Sequence, residues 1–394
     1  MQLANRVLQL KPSATLAVNA LAQELRASGR EVISLSVGEP DFDTPRHIRD
    51  AAIAAVNGGF TKYTAVPGML ELRKAASDYF NLFGAGSLPE HVLISNGGKQ
   101  SLYNLFQSII NPGDEVIIPA PYWVSYPPMV ELAGGLAVIA HSGVEKGFKV
   151  TPADLERLRT PKTKACVINS PSNPTGAVYS QEELDAIAEW AVENKLLLIS
   201  DEIYDQLVYY PAMHASACAW WRKHPDNFVV VNGVAKTFAM TGWRVGYMLA
   251  QHEIIKACNK LQGQSTSNVC SIAQAAALAA LTGSLSCLPP MRDTFLRRRN
   301  LVMEAIRRWP GVTCPVPDGA FYVFPDMRNL FKSSMPNSTA MCKALLDKAG
   351  VALVPGEAFG DDNCLRISYA SDEATLQKAL ERIEGALFHN KQYK

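Results

Sequence analysis

An ammonium, a carboxylate, a phenol and an amide stand directly after apolar runs of this chain, where buried strands would end. The run 228–232 leads into Gly233-Val234-Ala235-Lys236, the run 196–200 into Asp201-Glu202-Ile203-Tyr204, and the run 165–170 into Pro171-Ser172-Asn173-Pro174-Thr175-Gly176. A fourth run, 91–95, leads into Asn96-Gly97-Gly98-Lys99-Gln100 and then a helical stretch. Each piece has a plain structural reading. Asn-Pro-Thr-Gly is a turn sequence, Asp201 can cap a helix, and Lys236 can be a surface residue. A Gly-Gly before a helix is a weak phosphate signal alone. Their joint order favours one shared site, because ligands of open α/β sheets bind outside the carboxyl ends of the strands.

The chemistry open to such a set centres on the amine. A free lysine, with a pKa of about 10.4, attacks a carbonyl only when desolvation or a nearby cation makes part of it neutral. Pyridoxal 5'-phosphate (PLP) offers a carbonyl to that lysine and a phosphate to a helix N-terminus. It also offers a pyridine nitrogen that a buried acid keeps protonated, so that the ring withdraws electrons. Lys236 suits the first task and Asp201 the last.

The elements that must position these groups are legible as periodicity. The runs 91–95, 115–119, 136–140, 165–170, 196–200, 228–232 and 245–250 are mostly continuous rather than alternating. That pattern predicts strands buried on both faces of a mostly parallel sheet. Ser180 with Glu183 three residues on forms a capping box, and Leu184, Ile187, Ala188 and Ala191 then give one apolar helical face. Thr151-Pro152 marks a second helix start, and the Ala-rich stretch 272–281 reads as a packed core helix. From about 289 a long helical stretch (293–308) is followed by short strands at 320–324 and 364–368. The fold class expected is therefore α/β. A large domain, 46–289, has helices flanking the sheet, and a smaller α+β domain combines 1–45 with 290–394.

Composition narrows the classes of function. The 394 residues carry 38 Lys+Arg against 37 Asp+Glu, a net charge of +1, which gives no steering toward nucleic acid or an anionic membrane. The run Arg297-Arg298-Arg299 falls in a helical stretch and reads as a solvated face. No run of 18 apolar residues exists to span a bilayer, and the first 15 residues hold no apolar signal core. The eight cysteines form no C-x-x-C pair and lie in apolar stretches, so reduced thiols and a cytoplasmic location are expected.

Taken together, the motifs resemble the fold-type I PLP enzymes of the class I aminotransferase family. Within it they are most similar to the bacterial aspartate aminotransferases of the subgroup that includes prephenate aminotransferases. The resemblance covers nearly the whole chain. It is carried by Lys11-Pro12-Ser13-Ala14-Thr15, Gly38-Glu39-Pro40-Asp41-Phe42-Asp43-Thr44-Pro45, Tyr122-Trp123-Val124-Ser125-Tyr126-Pro127, the Asn-Pro-Thr-Gly turn, Ala235-Lys236-Thr237-Phe238-Ala239-Met240-Thr241-Gly242-Trp243-Arg244 and Arg366-Ile367-Ser368-Tyr369-Ala370.

The resemblance implies a role for each site residue. Lys236 bonds the cofactor as an imine and shuttles the substrate proton, and Asp201 pairs with the pyridine nitrogen. Asn173 and Tyr204 hydrogen-bond the phenolic oxygen, and Trp123 stacks on the ring. Gly98, Lys99 and Arg244 surround the phosphate, and Tyr63 reaches the phosphate of the other subunit of a homodimer. Arg366 grips the substrate α-carboxylate as a bidentate fork with help from the Gly38 backbone. Thr15 and Lys99 meet the distal carboxylate, although Lys99 is equally suited to the phosphate. Lys11 lies where subgroup members that use prephenate also have lysine.

One position departs from many relatives: Gly233 stands where they carry a phosphate-binding serine, and Thr237 is a candidate substitute. The bacterial aspartate subgroup also has glycine there. The function implied is transamination between aspartate or glutamate and a 2-oxo acid, with prephenate as a further substrate. An aromatic aminotransferase or a PLP C–S β-lyase is the alternative within the same fold. A DNA-linked ligand sensor is disfavoured, because no winged helix fits before Gly38.

Overall fold

Every strand predicted between residues 91 and 250 forms, and all of them join one sheet. The computed structural model describes residues 1–8, 10, 12 and 14–389. The strands are β1 (Val92–Ser95), β2 (Glu115–Ala120), β3 (Leu136–His141), β4 (Thr163–Asn169), β5 (Leu197–Asp201), β6 (Phe228–Gly233) and β7 (Gly246–Leu249). Their order across the sheet is β1-β7-β6-β5-β4-β2-β3. Only β7 runs against its neighbours; the ladders from β6 to β3 are parallel.

The continuous apolar runs exist because both faces of this sheet are covered. Successive side chains of a strand point to opposite faces. Cys166, Ile168, Leu198 and Val230 enter one core, with Leu184 and Ile187 of helix Gln181–Glu193 and Ala276 of helix Ser271–Thr282. Val167, Ile199, Val229 and Val231 enter the other, with Leu105 and Phe106 of helix Gly98–Ile109. Both predicted helix starts are present as capping boxes: Ser180 accepts from the Glu183 N–H, and Thr151 from the Asp154 N–H.

A further core lies beyond the sheet. Helices Leu288–Arg307, Ser338–Ala349 and Glu373–Glu384 surround a three-stranded antiparallel sheet of β8 (Tyr322–Val323), β9 (Val354–Pro355) and β10 (Leu365–Ser368), with β10 central. Ile33–Ser34 pairs in parallel with Val351–Ala352, which attaches the N-terminal segment to this core.

The arginine run corrects its sequence reading. Arg297 is exposed and pairs with Glu373 at 3.4 Å, but Arg298 is buried and forks onto both Asp41 oxygens at 2.6 and 2.8 Å. Arg299 donates to the Pro317 carbonyl. Consecutive residues of an α-helix point about 100° apart, so three charges in a row cannot share one solvated face. All eight cysteines are free thiols. Among the described residues no helix is long and apolar enough to cross a membrane.

Candidate active site

The carboxyl ends of β4, β5 and β6, and the turn after β1, open on one cavity of about 310 Å³. Lys236 reaches it from the single helical turn Val234–Thr237 that follows β6. Its Nζ donates to the Gly38 carbonyl. Burial, reinforced by the Arg366 and Arg244 charges, pulls the ammonium down to about 8, against the opposing pull of Glu39 and Asp201. A neutral amine is thus within reach at moderate pH.

Gly233, where many relatives carry a serine, is a tightly packed position. A Cβ there would lie 3.0 Å from the Gly246 Cα, the Ile203 Cδ1 and the Val245 carbonyl. β6 and β7 approach so closely that a side chain there would need its neighbours to give by a few tenths of an ångström. Thr237 does not stand in for it, since its buried hydroxyl donates to Asp205 Oδ1 at 3.2 Å, away from the cavity.

Asp201 ends β5 and is buried at the cavity floor. It does not cap a helix. Its Oδ2 accepts from the Tyr126 hydroxyl at 2.6 Å and its Oδ1 from the Ile203 N–H at 3.3 Å, in a turn. Burial pushes its carboxyl up to about 6, while the Tyr126 hydrogen bond resists. No described cation forms an ion pair with it, so burial of this acid is offset mainly by the Tyr126 hydrogen bond.

Three cations line the same cavity. The Arg366 side chain, on β10, donates to Asn173 Oδ1 at 3.0 Å and to the Ser36 carbonyl at 2.6 Å, and its Nε is buried without a partner. Lys99 lies over the Trp123 ring, 5.0 Å from its centroid; burial first, then Arg244, lowers its ammonium. Arg244 is held by the carbonyls of Thr241 and Asn96. None of the three has a carboxylate partner among the described residues. Gly97 adopts φ of +81° at the start of helix Gly98–Ile109, and a Cβ on it would strike Arg244 Nη2 at 2.6 Å. A glycine is needed there to bring the helix N-terminus and the guanidinium together.

Gly38, Gly98, Trp123, Asn173, Tyr204 and Thr15 also line this cavity. Tyr63 does not: it is 93 % exposed on the outer surface. Lys11 lies outside the described residues. Three contributors escaped the sequence reading as site residues. Tyr126 holds Asp201. Tyr322 bonds the Tyr204 hydroxyl at 2.9 Å and lies under the Arg366 guanidinium at 4.7 Å. Asn169 donates to the Asp201 carbonyl at 3.0 Å and accepts from the Asn173 N–H at 2.8 Å. Asn169 had a legible signal, as an amide inside an apolar run that leads to the site; Tyr126 and Tyr322 had none beyond their neighbours.

A seven-stranded, mostly parallel sheet with a desolvated lysine at its carboxyl edge defines the α/β class of lysine-dependent enzymes called fold type I. The family model of aminotransferase class I and II matches residues 30–383, and the chain belongs to that family. It is therefore an aminotransferase, of a family that depends on PLP. It is 45% identical to an aspartate aminotransferase of Bacillus subtilis, over 98% of each chain. It is 47% identical to an aspartate/prephenate aminotransferase of Cereibacter sphaeroides, over 97% of this chain and 98% of the other. The structure of an aspartate aminotransferase from Thermus thermophilus with maleate is similar at a TM-score of 0.93 and 46% identity, covering 98% of this chain and all of that one.

Proposed function

We propose that the protein uses PLP to exchange an amino group between aspartate or glutamate and the matching 2-oxo acids, oxaloacetate or 2-oxoglutarate, with prephenate as a further acceptor. The observation that carries this is the charge arrangement: one cavity is lined by a buried acid without an ion-pair partner and by three cations without a carboxylate partner among the described residues. This suits a ligand with a protonated ring nitrogen, a phosphate and a substrate with two carboxylates.

When bound, PLP supplies a carbonyl for the lysine and a ring that accepts the electrons left by a departing α-proton. The chain does the rest. Lys236, whose desolvation makes part of its Nζ neutral, would hold the cofactor through that atom and would be the base that takes the proton from the substrate α-carbon. Asp201 would keep the ring nitrogen protonated. Asn173 has spent its Oδ1 on Arg366, which leaves its Nδ2 to donate, beside Tyr204, to the phenolic oxygen. Trp123 covers the ring face. The Gly98 end of the helix, Lys99 and Arg244 meet the phosphate. Arg366 and the Gly38 backbone orient the α-carboxylate; Thr15, Lys99 and Lys11 face the distal end of the substrate.

Two further readings belong to this proposal. The chain divides into a large domain, 46–289, and a small one made of 1–45 and 290–394, supported by the separate hydrophobic cores. It works in the cytoplasm as a homodimer in which Tyr63 completes the partner's phosphate site, supported by the exposure of that phenol outside its own cavity. Sedimentation at assay concentration should accordingly find the activity in the dimer alone, and a fully active monomer would refute the assembly.

The test of the reaction is a screen of amino donors, each followed by the bleaching of the visible band of the bound cofactor and the formation of its 2-oxo acid. Aspartate and glutamate should lead. Pyruvate release from cysteine conjugates without any 2-oxo acid acceptor would point to a lyase instead. Substrate choice has its own signature. Leaving a desolvated carboxylate without its cation costs about 2–5 kcal/mol, so Lys99→Ala should lower kcat/KM for aspartate at least ~30-fold more than for alanine. Equal losses would assign Lys99 to the phosphate.

A further inference from the structure

We propose that Asp41 and Arg298 form a clamp that holds the Gly38 carbonyl over Lys236 and so sets the affinity for every amino acid substrate; this rests on the roles given to Lys236 and Arg366 above. Residues 36–44 have no regular structure and meet the cavity at Gly38. Among the described residues, no backbone N–H of this strap is hydrogen-bonded to another backbone group. Its course is therefore set by the ties made to its carbonyls and side chains. At one end the Ser36 carbonyl accepts from Arg366 at 2.6 Å. In the middle Gly38 accepts from Lys236, and Glu39 from the Thr241 hydroxyl at 2.8 Å. At the far end the Thr44 hydroxyl donates to the Ala239 carbonyl at 2.7 Å and accepts from the Trp243 indole at 3.0 Å.

Asp41 is the tie between these ends. Both its oxygens take the Arg298 guanidinium, at 2.6 and 2.8 Å. Arg298 itself cannot swing away. Its side chain is 7 % exposed on helix Leu288–Arg307, with the guanidinium 5.4 and 5.7 Å from the rings of Phe42 and Phe295. A two-pronged ion pair fixes direction as well as distance, which a lysine cannot do. The clamp thus fastens the strap to the core that carries Arg366, while Thr44 fastens it to the turn just beyond Lys236. The two groups that touch the substrate are brought into register through the residues between them. Arg298 and Asp41 touch neither substrate nor cofactor, so they are positioning residues.

The experiment compares Asp41→Asn, Arg298→Lys and the double variant with wild type, all as holoenzyme. Misplacing a site by about 1 Å costs up to ~10²-fold, so either single change should raise KM for aspartate and alanine alike by on the order of tenfold, with kcat within about threefold. The Kd of maleate, a dicarboxylate that does not react, should rise by the same factor, read from the visible band of the bound cofactor. The double variant should lose no more than the worse single, because one device is broken once. Unchanged KM and Kd alongside a lowered Tm would overturn the proposal and leave the pair a structural brace; additive losses would overturn it too. Amino-group exchange by wild type tests the functional reading separately, since the variant-to-wild-type ratio of maleate Kd does not depend on turnover.

Discussion

Lys236→Ala should abolish transamination and the visible absorbance of the bound cofactor together. The amine has two tasks in the proposed reaction, bonding the carbonyl and carrying the α-proton, and general acid–base transfer alone contributes about 10²–10⁴-fold. A loss of at least ~10⁴ in kcat is therefore expected. The structure adds a pH test. Because burial brings Lys236 down to about 8, its reaction with a carbonyl reagent in the cofactor-free protein should rise with pH around a midpoint near that value. An ordinary exposed lysine has its midpoint at about 10.4. A variant that turns over near the wild-type rate, measured by oxaloacetate formation, would remove the central claim.

Asp201→Ala should retain the cofactor but slow α-proton removal by roughly 10²–10³, the usual cost of deleting one preorganised charge-stabilising group. Stopped-flow half-reactions separate this from binding. Unchanged rates would reduce Asp201 to a turn-forming residue that accepts from the Ile203 N–H. Because alanine leaves the buried Tyr126 hydroxyl without its acceptor, Asp201→Asn is the companion variant that keeps the shape. Stability of the cofactor-free protein provides a second readout. Burial raises Asp201 to about 6, above its unfolded value near 3.9, so the folded state binds the proton more tightly. Stability from this group is then gained as pH falls from about 6 toward 4 and is lost as pH rises through 6. Asp201→Asn should flatten that part of a Tm-against-pH profile.

The amino-acid order alone was enough for the sheet and for the position of its chemistry. Both-face burial forces unbroken apolar runs, and a polar group directly after such a run has nowhere to go except the carboxyl edge; Lys236, Asp201 and Asn173 were legible for that reason. Gly97-Gly98 was legible only as a weak signal, and the φ of +81° at Gly97 supplies the reason for the first glycine. The tertiary structure decided what periodicity cannot encode. Arg298 looks like its two neighbours in sequence, yet only it turns inward, because the helix rotates each successive side chain and Asp41, 257 positions away, waits on that side. Tyr322 reads as one more aromatic in a short strand; what makes it part of the site is β10, which lays Arg366 across its ring. Gly233 and Thr237 turn on the same kind of fact. Whether a hydroxyl reaches the cavity depends on the spacing of β6 from β7 and on the buried Asp205 carboxylate, and both are set by contacts between segments far apart in the chain. Local sequence specifies backbone preference and burial pattern; the partners of a buried charge or hydroxyl are chosen only when distant segments close around it.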